Sequence, residues 1–344
     1  MPRLKNAVES LQRKTSTVEL LRRTSTNTEG NRSTRSLRNK SSVSISKLGE
    51  PELSPEFRSS IFCFGGYGGE TECLAYVTTA DKWVPLANLP VGKVNATSCP
   101  TGLLERDRSI IIAGGRDING RASRSAYKFD CNYLVWKPIA SLLQKREGSG
   151  SAFSNGHAFV VGGKTPHEWT SSVEYFNPIA NKWTEISPMK HSREGCGVAS
   201  LSDKLWVVGG NQYGNSDLDI VEWYELKKDK WTQAPPLNEP RWGCGLVSAG
   251  GALYAIGGYR TDTVERFDPR EGRWDYVESM EVRRDKVNVA LFGEYVYAFG
   301  GWIDGSRLTA VEQYDIRNNS WTYCEPLPHS KAGVAMTSLY GVQK

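Results

Sequence analysis

The most constraining feature of this sequence is a pair of adjacent glycines that follows a short apolar segment six times. The first glycines of successive pairs are 49, 48, 47, 48 and 43 residues apart. The six pairs begin at Gly65, Gly114, Gly162, Gly209, Gly257 and Gly300. A repeat of this period predicts one supersecondary unit that is copied six times and packs against its neighbours.

Each unit also contains an aromatic residue and, seven positions later, a tryptophan, as in Tyr224 and Trp231. The six tryptophans are Trp83, Trp136, Trp183, Trp231, Trp274 and Trp321. Each such ring buries an area on the order of 150–250 Å² when it is packed. We therefore expect the aromatic residue and the tryptophan to pack between neighbouring units.

The residues of one unit predict four strands. Residues 158–161 are apolar on both faces, which is typical of a strand in the middle of a sheet. Residues 172–178 alternate and then reach a turn signal, and the tryptophan begins a further strand. The first strand is glycine-rich, as in residues 243–247, which suits a crowded axis. Four strands repeated radially predict an all-β fold, a six-bladed β-propeller over residues 61–340.

The sequence also predicts how the ring closes. The first unit begins with its second strand at Ile61, and an additional glycine-rich segment, residues 332–339, follows Trp321. We expect this C-terminal segment to supply the missing first strand of blade 1, so that no gap remains between the first and last blades.

The repeat resembles the Kelch repeat: Gly-Gly, then Val-Glu-x-aromatic-Asp/Asn-Pro, then Trp, Pro-Met or Pro-Leu, and a basic residue. The third unit shows this pattern most fully, with Gly162-Gly163, residues 173–178, Trp183, Pro188-Met189 and Arg193. The first unit departs from it, because residues 73–76 read Cys-Leu-Ala-Tyr. The resemblance implies a propeller that binds other proteins and performs no catalysis.

Larger Kelch-like proteins often carry BTB and BACK domains before the propeller, and these recruit a cullin. The roughly 58 residues before this propeller are too few for either domain, so we expect a propeller-only protein or part of a longer one. The resemblance implies a substrate-recognition (adaptor) subunit of a cullin-RING ubiquitin ligase. It leaves open an actin-binding cytoskeletal protein and, more distantly, an enzyme similar to galactose oxidase.

Composition bounds the remaining functions. The four histidines are spread across the blades without metal-ligand spacing, so no metal, cofactor or catalytic site is expected. The seven cysteines contain no C-x-x-C, which favours a reduced intracellular protein, cytoplasmic or alternatively nuclear. No apolar run approaches the length of a membrane span.

The N-terminal tail, residues 1–58, is rich in Ser, Thr and Arg, which predicts disorder. Residues 1–50 carry a net charge of +7, so the remaining 294 residues sum to −2 and do not favour nucleic acid as a ligand. Ser16 and Ser25 follow basic residues and are phosphorylation candidates. A linker without regulation remains an alternative, as does a mitochondrial presequence, which Glu9 and Glu19 oppose.

Two sets of residues are candidates for partner binding. A basic residue precedes every glycine-rich strand: Lys93, Arg146, Arg193, Arg241, Arg284 and Lys331. Around one channel mouth these residues would bind an acidic or phosphorylated segment of a partner. The alternative is structural, with each side chain bonding carbonyls of a blade edge. Tyr213, Tyr259 and Trp302 lie in loops after the glycine pairs, where aromatic residues favour protein recognition.

Overall fold

The computed structural model of the protein describes residues 60–101, 108–213 and 216–339. Its strands form six antiparallel four-stranded sheets, and two short two-stranded hairpins accompany them. The single helical element in this part of the chain is a 3₁₀ turn, Leu226–Lys228. The predicted six-bladed all-β propeller is therefore confirmed.

The strands follow the chain blade by blade. Blade 1 contains β1 (Ser60–Phe64), β2 (Cys73–Val77) and β3 (Lys82–Pro85). Blade 2 contains β4 (Thr97–Pro100), β5 (Ser109–Ala113), β6 (Ala126–Asp130) and β7 (Val135–Pro138). Blade 3 contains β8 (Gly150–Ser154), β9 (His157–Val161), β10 (Val173–Asn177) and β11 (Lys182–Ile186).

Blade 4 contains β12 (Gly197–Leu201), β13 (Lys204–Val208), β16 (Val221–Glu225) and β17 (Lys230–Ala234), with the hairpin β14 (Asn211–Gln212) and β15 (Ser216–Asp217) between β13 and β16. Blade 5 contains β18 (Gly245–Ala249), β19 (Ala252–Gly258), β20 (Thr261–Asp268) and β21 (Arg273–Val277). Blade 6 contains β22 (Asn288–Phe292), β23 (Tyr295–Phe299), β26 (Val311–Asp315) and β27 (Ser320–Tyr323), with the hairpin β24 (Trp302–Ile303) and β25 (Ser306–Arg307). The last strand, β28 (Ala335–Ser338), belongs to blade 1.

The C-terminal strand closes the ring. β28 pairs with β1 in antiparallel register, Ile61 opposite Ser338 and Phe64 opposite Ala335. The first strands of the blades contact one another in the order β28, β4, β8, β12, β18, β22 and back to β28. These six strands therefore surround the axis without a gap, as the glycine-rich segment after Trp321 predicted.

The glycines of the first strands are required by the crowding at this axis. A Cβ on Gly150 would lie 2.2 Å from Val198 Cγ2, and a Cβ on Gly245 would lie 2.4 Å from Val289 Cγ2. Both distances are far below carbon–carbon contact, so a side chain at either position would displace the next blade.

The aromatic residue and the tryptophan of each unit are cross-strand partners on the third and fourth strands. Tyr224 lies opposite Trp231, and their ring centroids are 5.1 Å apart. Trp231 Nε1 donates a hydrogen bond across the blade junction to the Ser187 carbonyl at 2.7 Å. At the closure, Trp83 Nε1 donates in the same way to the Glu325 carbonyl of blade 6 at 3.2 Å. The repeated pair thus joins each blade to the preceding one.

The N-terminal tail lies outside the described residues, and so do its phosphorylation candidates Ser16 and Ser25. The first described strand begins at Ser60, and β28 ends at Ser338, close to the predicted limits of the propeller.

Candidate functional site

One end of the propeller carries two kinds of connection, which we call the loop face. One kind joins the second and third strands of each blade: residues 65–72, 114–125, 162–172, 209–213 with 216–220, 259–260 and 300–310. The other leads into the first strands: residues 86–96, 139–149, 187–196, 235–244, 278–287 and 324–334. The two kinds pair with each other, for example Glu194 with Asn211 and Asp285 with Trp302. Hydrogen bonds between the two kinds of connection therefore fix the backbone of the loop face.

The six basic residues lie beneath this face and are buried, with 0 to 2% of their surface exposed. Arg146 shows their arrangement: its carbonyl accepts a hydrogen bond from the Gly115 amide of blade 2, at 2.9 Å. Its guanidinium donates to the Gly162 carbonyl of blade 3, at 3.0 Å. The other five side chains donate to the equivalent carbonyls of Gly114, Gly209, Gly257, Gly300 and Gly65. Each basic residue therefore fastens one blade to the next.

The four arginines also pair with a buried glutamate on the third strand of the same blade. Arg146 Nη2 lies 2.7 Å from Glu174 Oε1, and Arg193 Nη2 lies 2.5 Å from Glu222 Oε2. Arg241 and Arg284 pair in the same way with Glu265 and Glu312. Burial lowers the pKa of Arg193, and the Glu222 carboxylate opposes that shift.

These positions correct the sequence-based assignment of the ring to partner binding. The charged groups of these residues lie inside the fold and are not presented on the loop face: Lys93, Arg146, Arg193, Arg241, Arg284 and Lys331. Their hydrogen bonds agree with the alternative interpretation of the sequence, in which each side chain bonds carbonyls at a blade edge. Buried charges need such internal partners, because removing them from water is costly.

The two lysines occupy the blades that lack the glutamate. Blade 2 has Tyr127 and blade 1 has Leu74 at the equivalent positions. Lys93 Nζ instead donates to the Gly114 carbonyl at 2.6 Å and to Ser125 Oγ at 2.8 Å. Burial lowers the pKa of Lys93 to about 8, with Asp117 opposing the shift.

Aromatic side chains form three ring pairs on the loop face. Tyr213, which is 84% exposed, meets Trp169 with centroids 5.8 Å apart. Tyr259, which is 39% exposed, meets Trp242 at 5.7 Å, and the partly buried Trp302 meets Tyr67 at 5.8 Å. Three of these members, Tyr213, Tyr259 and Trp302, are the sequence-predicted loop residues.

Trp242 is a residue that sequence reasoning missed. It directly follows Arg241, where the other units have Val94, Glu147, Glu194, Asp285 and Ala332. Since the other units have small or acidic residues at this position, the tryptophan was the signal in the sequence that could have identified it.

Cations accompany these rings. Lys164 Nζ lies 4.4 Å from the Trp169 centroid, and Arg260 Cζ lies 4.9 Å from that of Tyr259. Arg307 Cζ lies 5.8 Å from the centroid of Trp302. Cation–π contacts of this kind hold the rings in place while leaving donors free.

The axial channel opens at both ends with different chemistry. At the loop face, a cavity of about 130 Å³ is lined by Glu194, Trp242 and Lys286 together with glycines of the blade connections. At the opposite end, a cavity of about 670 Å³ is lined by serines such as Ser151 and Ser200 and by apolar residues. The lining at the opposite end also contains Asp203, whereas the loop-face mouth contains charges of both signs, Glu194 and Lys286.

Within residues 60–101, 108–213 and 216–339, no group of three or more His, Cys, Asp or Glu side chains is placed to hold a metal ion. The same part of the chain contains no helix that is long and apolar enough to span a membrane. All seven cysteines are free thiols, and six of them are buried.

Comparison with known proteins agrees with this geometry. Residues 54–258 match the family model of the KLHDC2/KLHL20/DRC7 Kelch-repeats domain, and residues 240–281 and 283–328 match the Kelch motif. Kelch-like protein 25 of Xenopus tropicalis is 24% identical over 240 residues, which are 66% of this chain and 40% of that protein.

Two further relatives match shorter stretches. Human Kelch-like protein 35 is 30% identical over 148 residues, 43% of this chain and 24% of that protein. An F-box/kelch-repeat protein of Arabidopsis thaliana is 36% identical over 115 residues, 32% of this chain and 31% of that protein. The chain thus spans well under half the length of these relatives.

Proposed function

Since the chain belongs to the Kelch-repeat family, we propose that its loop face recognises another protein and that the propeller performs no catalysis. The observation that carries this proposal is the set of three aromatic pairs, which contain Tyr213, Tyr259 and Trp302 and each have a cation over one of their rings. Tyrosine, tryptophan and arginine are the residues that dominate the binding energy of protein interfaces.

The partner segment is proposed to carry acidic or phosphorylated residues at the outer part of the face. The preference for an acidic or phosphorylated segment does not depend on the six basic residues, because they are buried. It is supported by Arg260 and Arg307, which are exposed and stack on Tyr259 and Trp302. Guanidinium groups held in this way suit carboxylates and phosphates.

The role proposed for this recognition is that of a substrate-recognition subunit of a cullin-RING ubiquitin ligase. The resemblance to Kelch-like proteins supports it, and an F-box/kelch-repeat protein is among the relatives. An actin-binding cytoskeletal role is the second candidate. The free thiols support a cytoplasmic or nuclear location. A cullin among captured proteins favours the first role, and co-sedimentation with actin filaments favours the second.

The test compares two double variants in affinity capture followed by mass spectrometry. Tyr213→Ala with Tyr259→Ala removes exposed rings from the loop face. The matched control, Tyr276→Ala with Tyr323→Ala, removes rings that are 55% and 63% exposed on the fourth strands of blades 5 and 6. Truncating hot-spot residues typically costs 2 kcal/mol or more, so partner capture should fall by roughly 30-fold in the first variant.

The control variant should capture partners as the unaltered chain does, and both variants should melt normally. Equal capture by all three proteins would refute recognition through these loops. Loss of capture in the control alone would place the binding surface on the blade rims.

A further inference from the structure

The loop-face mouth of the channel contains one charged side chain that lacks a partner. Glu194 lies on the connection into β12, and its backbone is fixed by two hydrogen bonds with Asn211, of 3.0 and 2.9 Å. Its carboxylate is partly buried, and Oε2 lies 3.3 Å from the position that a Cβ on Gly148 would occupy. No side chain among the described residues donates a hydrogen bond or forms an ion pair with it.

The cations around Glu194 are already engaged. Arg116 pairs with Glu147, and Lys164 lies over the ring of Trp169. Lys286 Nζ lies 5.1 Å from the centroid of Trp242. Burial raises the pKa of Glu194, and Lys286 is the strongest charge that opposes the shift. Glu194 therefore has a positive charge nearby in Lys286 but no hydrogen-bonded cation among the described residues.

Trp242 provides a wall beside that carboxylate. A Cβ on Gly195 would lie 2.6 Å from Cδ1 and 2.6 Å from Nε1 of Trp242, so the indole packs directly on the residue after Glu194. A carboxylate next to an indole is an arrangement that binds cations, through a charge-assisted hydrogen bond and through the ring quadrupole. The cavity of about 130 Å³ has room for the head of one side chain.

We propose that the loop-face mouth accepts one arginine or lysine side chain of the partner, with Glu194 as its carboxylate and Trp242 as its aromatic wall. The proposal rests on the proposed function, because the cation is supplied by the segment that the loop face recognises. Acidic groups of the same segment bind farther out, at Arg260 and Arg307. Lys286 competes with the incoming cation, because it lies against the same indole.

The test uses the full chain and a cationic probe, N-acetyl-argininamide, with N-acetyl-glutamate amide as the anionic counterpart. The Trp242 indole N–H resonance, identified by its loss in Trp242→Phe, reports binding. We expect the cationic probe to shift this resonance in a saturable manner and the anionic probe to leave it unchanged.

Variants distinguish the effect of the Glu194 carboxylate on probe binding from the effect of negative charge in general. Hydrogen bonds to charged groups are stronger than neutral ones, so Glu194→Gln should weaken binding of the cationic probe by at least ~10-fold. The matched control is Glu168→Gln, which neutralises an exposed carboxylate of the blade 3 loop and should bind the probe normally. Lys286→Met removes the competing ammonium and should tighten binding.

Saturable binding of the anionic probe, no binding of the cationic probe, or undiminished binding by Glu194→Gln would overturn the proposal. These outcomes are distinct from failure of the proposed function, which the tyrosine variants test by partner capture. Lost capture in the tyrosine variant together with an unresponsive Trp242 resonance would leave protein recognition standing and reject the cation site alone.

Discussion

A buried arginine stabilises each of the four junctions that lead into blades 3 to 6. Arg193 illustrates the chemistry, with two hydrogen bonds of 2.9 Å to the Gly209 and Ile220 carbonyls and an ion pair with Glu222. Both charged side chains are fully buried, so each is tolerable only because the other is present.

Replacing Arg193 by methionine should therefore destabilise the protein by roughly 3–5 kcal/mol, because Glu222 would remain buried without a counter-charge. Urea unfolding measures the change. Arg193→Met combined with Glu222→Leu should recover much of the loss. Arg273→Met is the control, since Arg273 pairs with Asp275 on the surface and should leave the unfolding midpoint nearly unchanged. A midpoint equal to that of the control would contradict the fastening role.

The buried thiols predict a pH dependence, and Cys99 tests it. Burial raises the pKa of Cys99 to about 12. Above the ordinary thiol pKa of about 8.5, the unfolded chain ionises this thiol and the folded one does not, so stability falls as pH rises. Between pH 8.5 and 10.5 the unaltered protein should lose about 2 kcal/mol relative to Cys99→Ala, measured by urea unfolding under reducing conditions. Parallel pH profiles would contradict this expectation.

The repeat alone could not show whether the six basic side chains point to the surface or into the fold. A basic residue at the same position in every blade is compatible with a ring on the surface and with a buried contact between blades. The sequence did contain a signal. Arginine occurs where the third strand has Val-Glu, as with Arg241 and Glu265, and lysine occurs where the glutamate is absent, as with Lys93 and Tyr127. The identity of the basic residue thus follows a buried partner, which a surface role would not require.

At the scale of strands, the first strand of each blade limits how closely the blades approach. Gly245 has ordinary strand backbone, so a side chain there is excluded by space and not by conformation. The atoms nearest to a Cβ at this position would be Cγ2 and Cγ1 of Val289, at 2.4 and 2.5 Å.

Gly245→Ala should accordingly destabilise the propeller by about 1–3 kcal/mol through overpacking. Adding Val289→Ala removes the two nearest atoms and should restore part of the loss, although Val289→Ala alone is destabilising. Thermal unfolding of the three variants gives the interaction energy. Simple additivity of the two substitutions would contradict the steric explanation.

Blade strands were predictable because their signals are local and repeated. The Asn155-Gly156 dipeptide, a strong hairpin signal in a sequence, forms the turn between β8 and β9, with φ of 49° and 79°. The hairpins β14–β15 and β24–β25 were not predicted, because each comprises strands of two residues. Two of the aromatic pairs on the loop face, Trp169 with Tyr213 and Tyr67 with Trp302, likewise join residues from different blades, which no local pattern brings together.

For the whole molecule, stability depends on the last strand, because β28 completes the sheet of blade 1. A chain that ends at residue 331 should fail to form a stable monomer, since β1 would be left with an open edge at the axis. A chain that ends at residue 339 retains β28 and is the matched control. Size-exclusion chromatography and thermal unfolding distinguish them, and equal melting of the two chains would contradict closure by β28.

The antiparallel register of β1 and β28 has a geometric consequence. Phe64 and Ala335 mark the ends of these strands nearest the loop face, so Ser60 and Ser338 lie at the far side of the disc. Both continuations of the polypeptide therefore leave from the side that faces away from the aromatic pairs. Attachment of the propeller at Ser60 or at Ser338, to a neighbouring domain or to a solid support, is therefore on the side opposite the loop face.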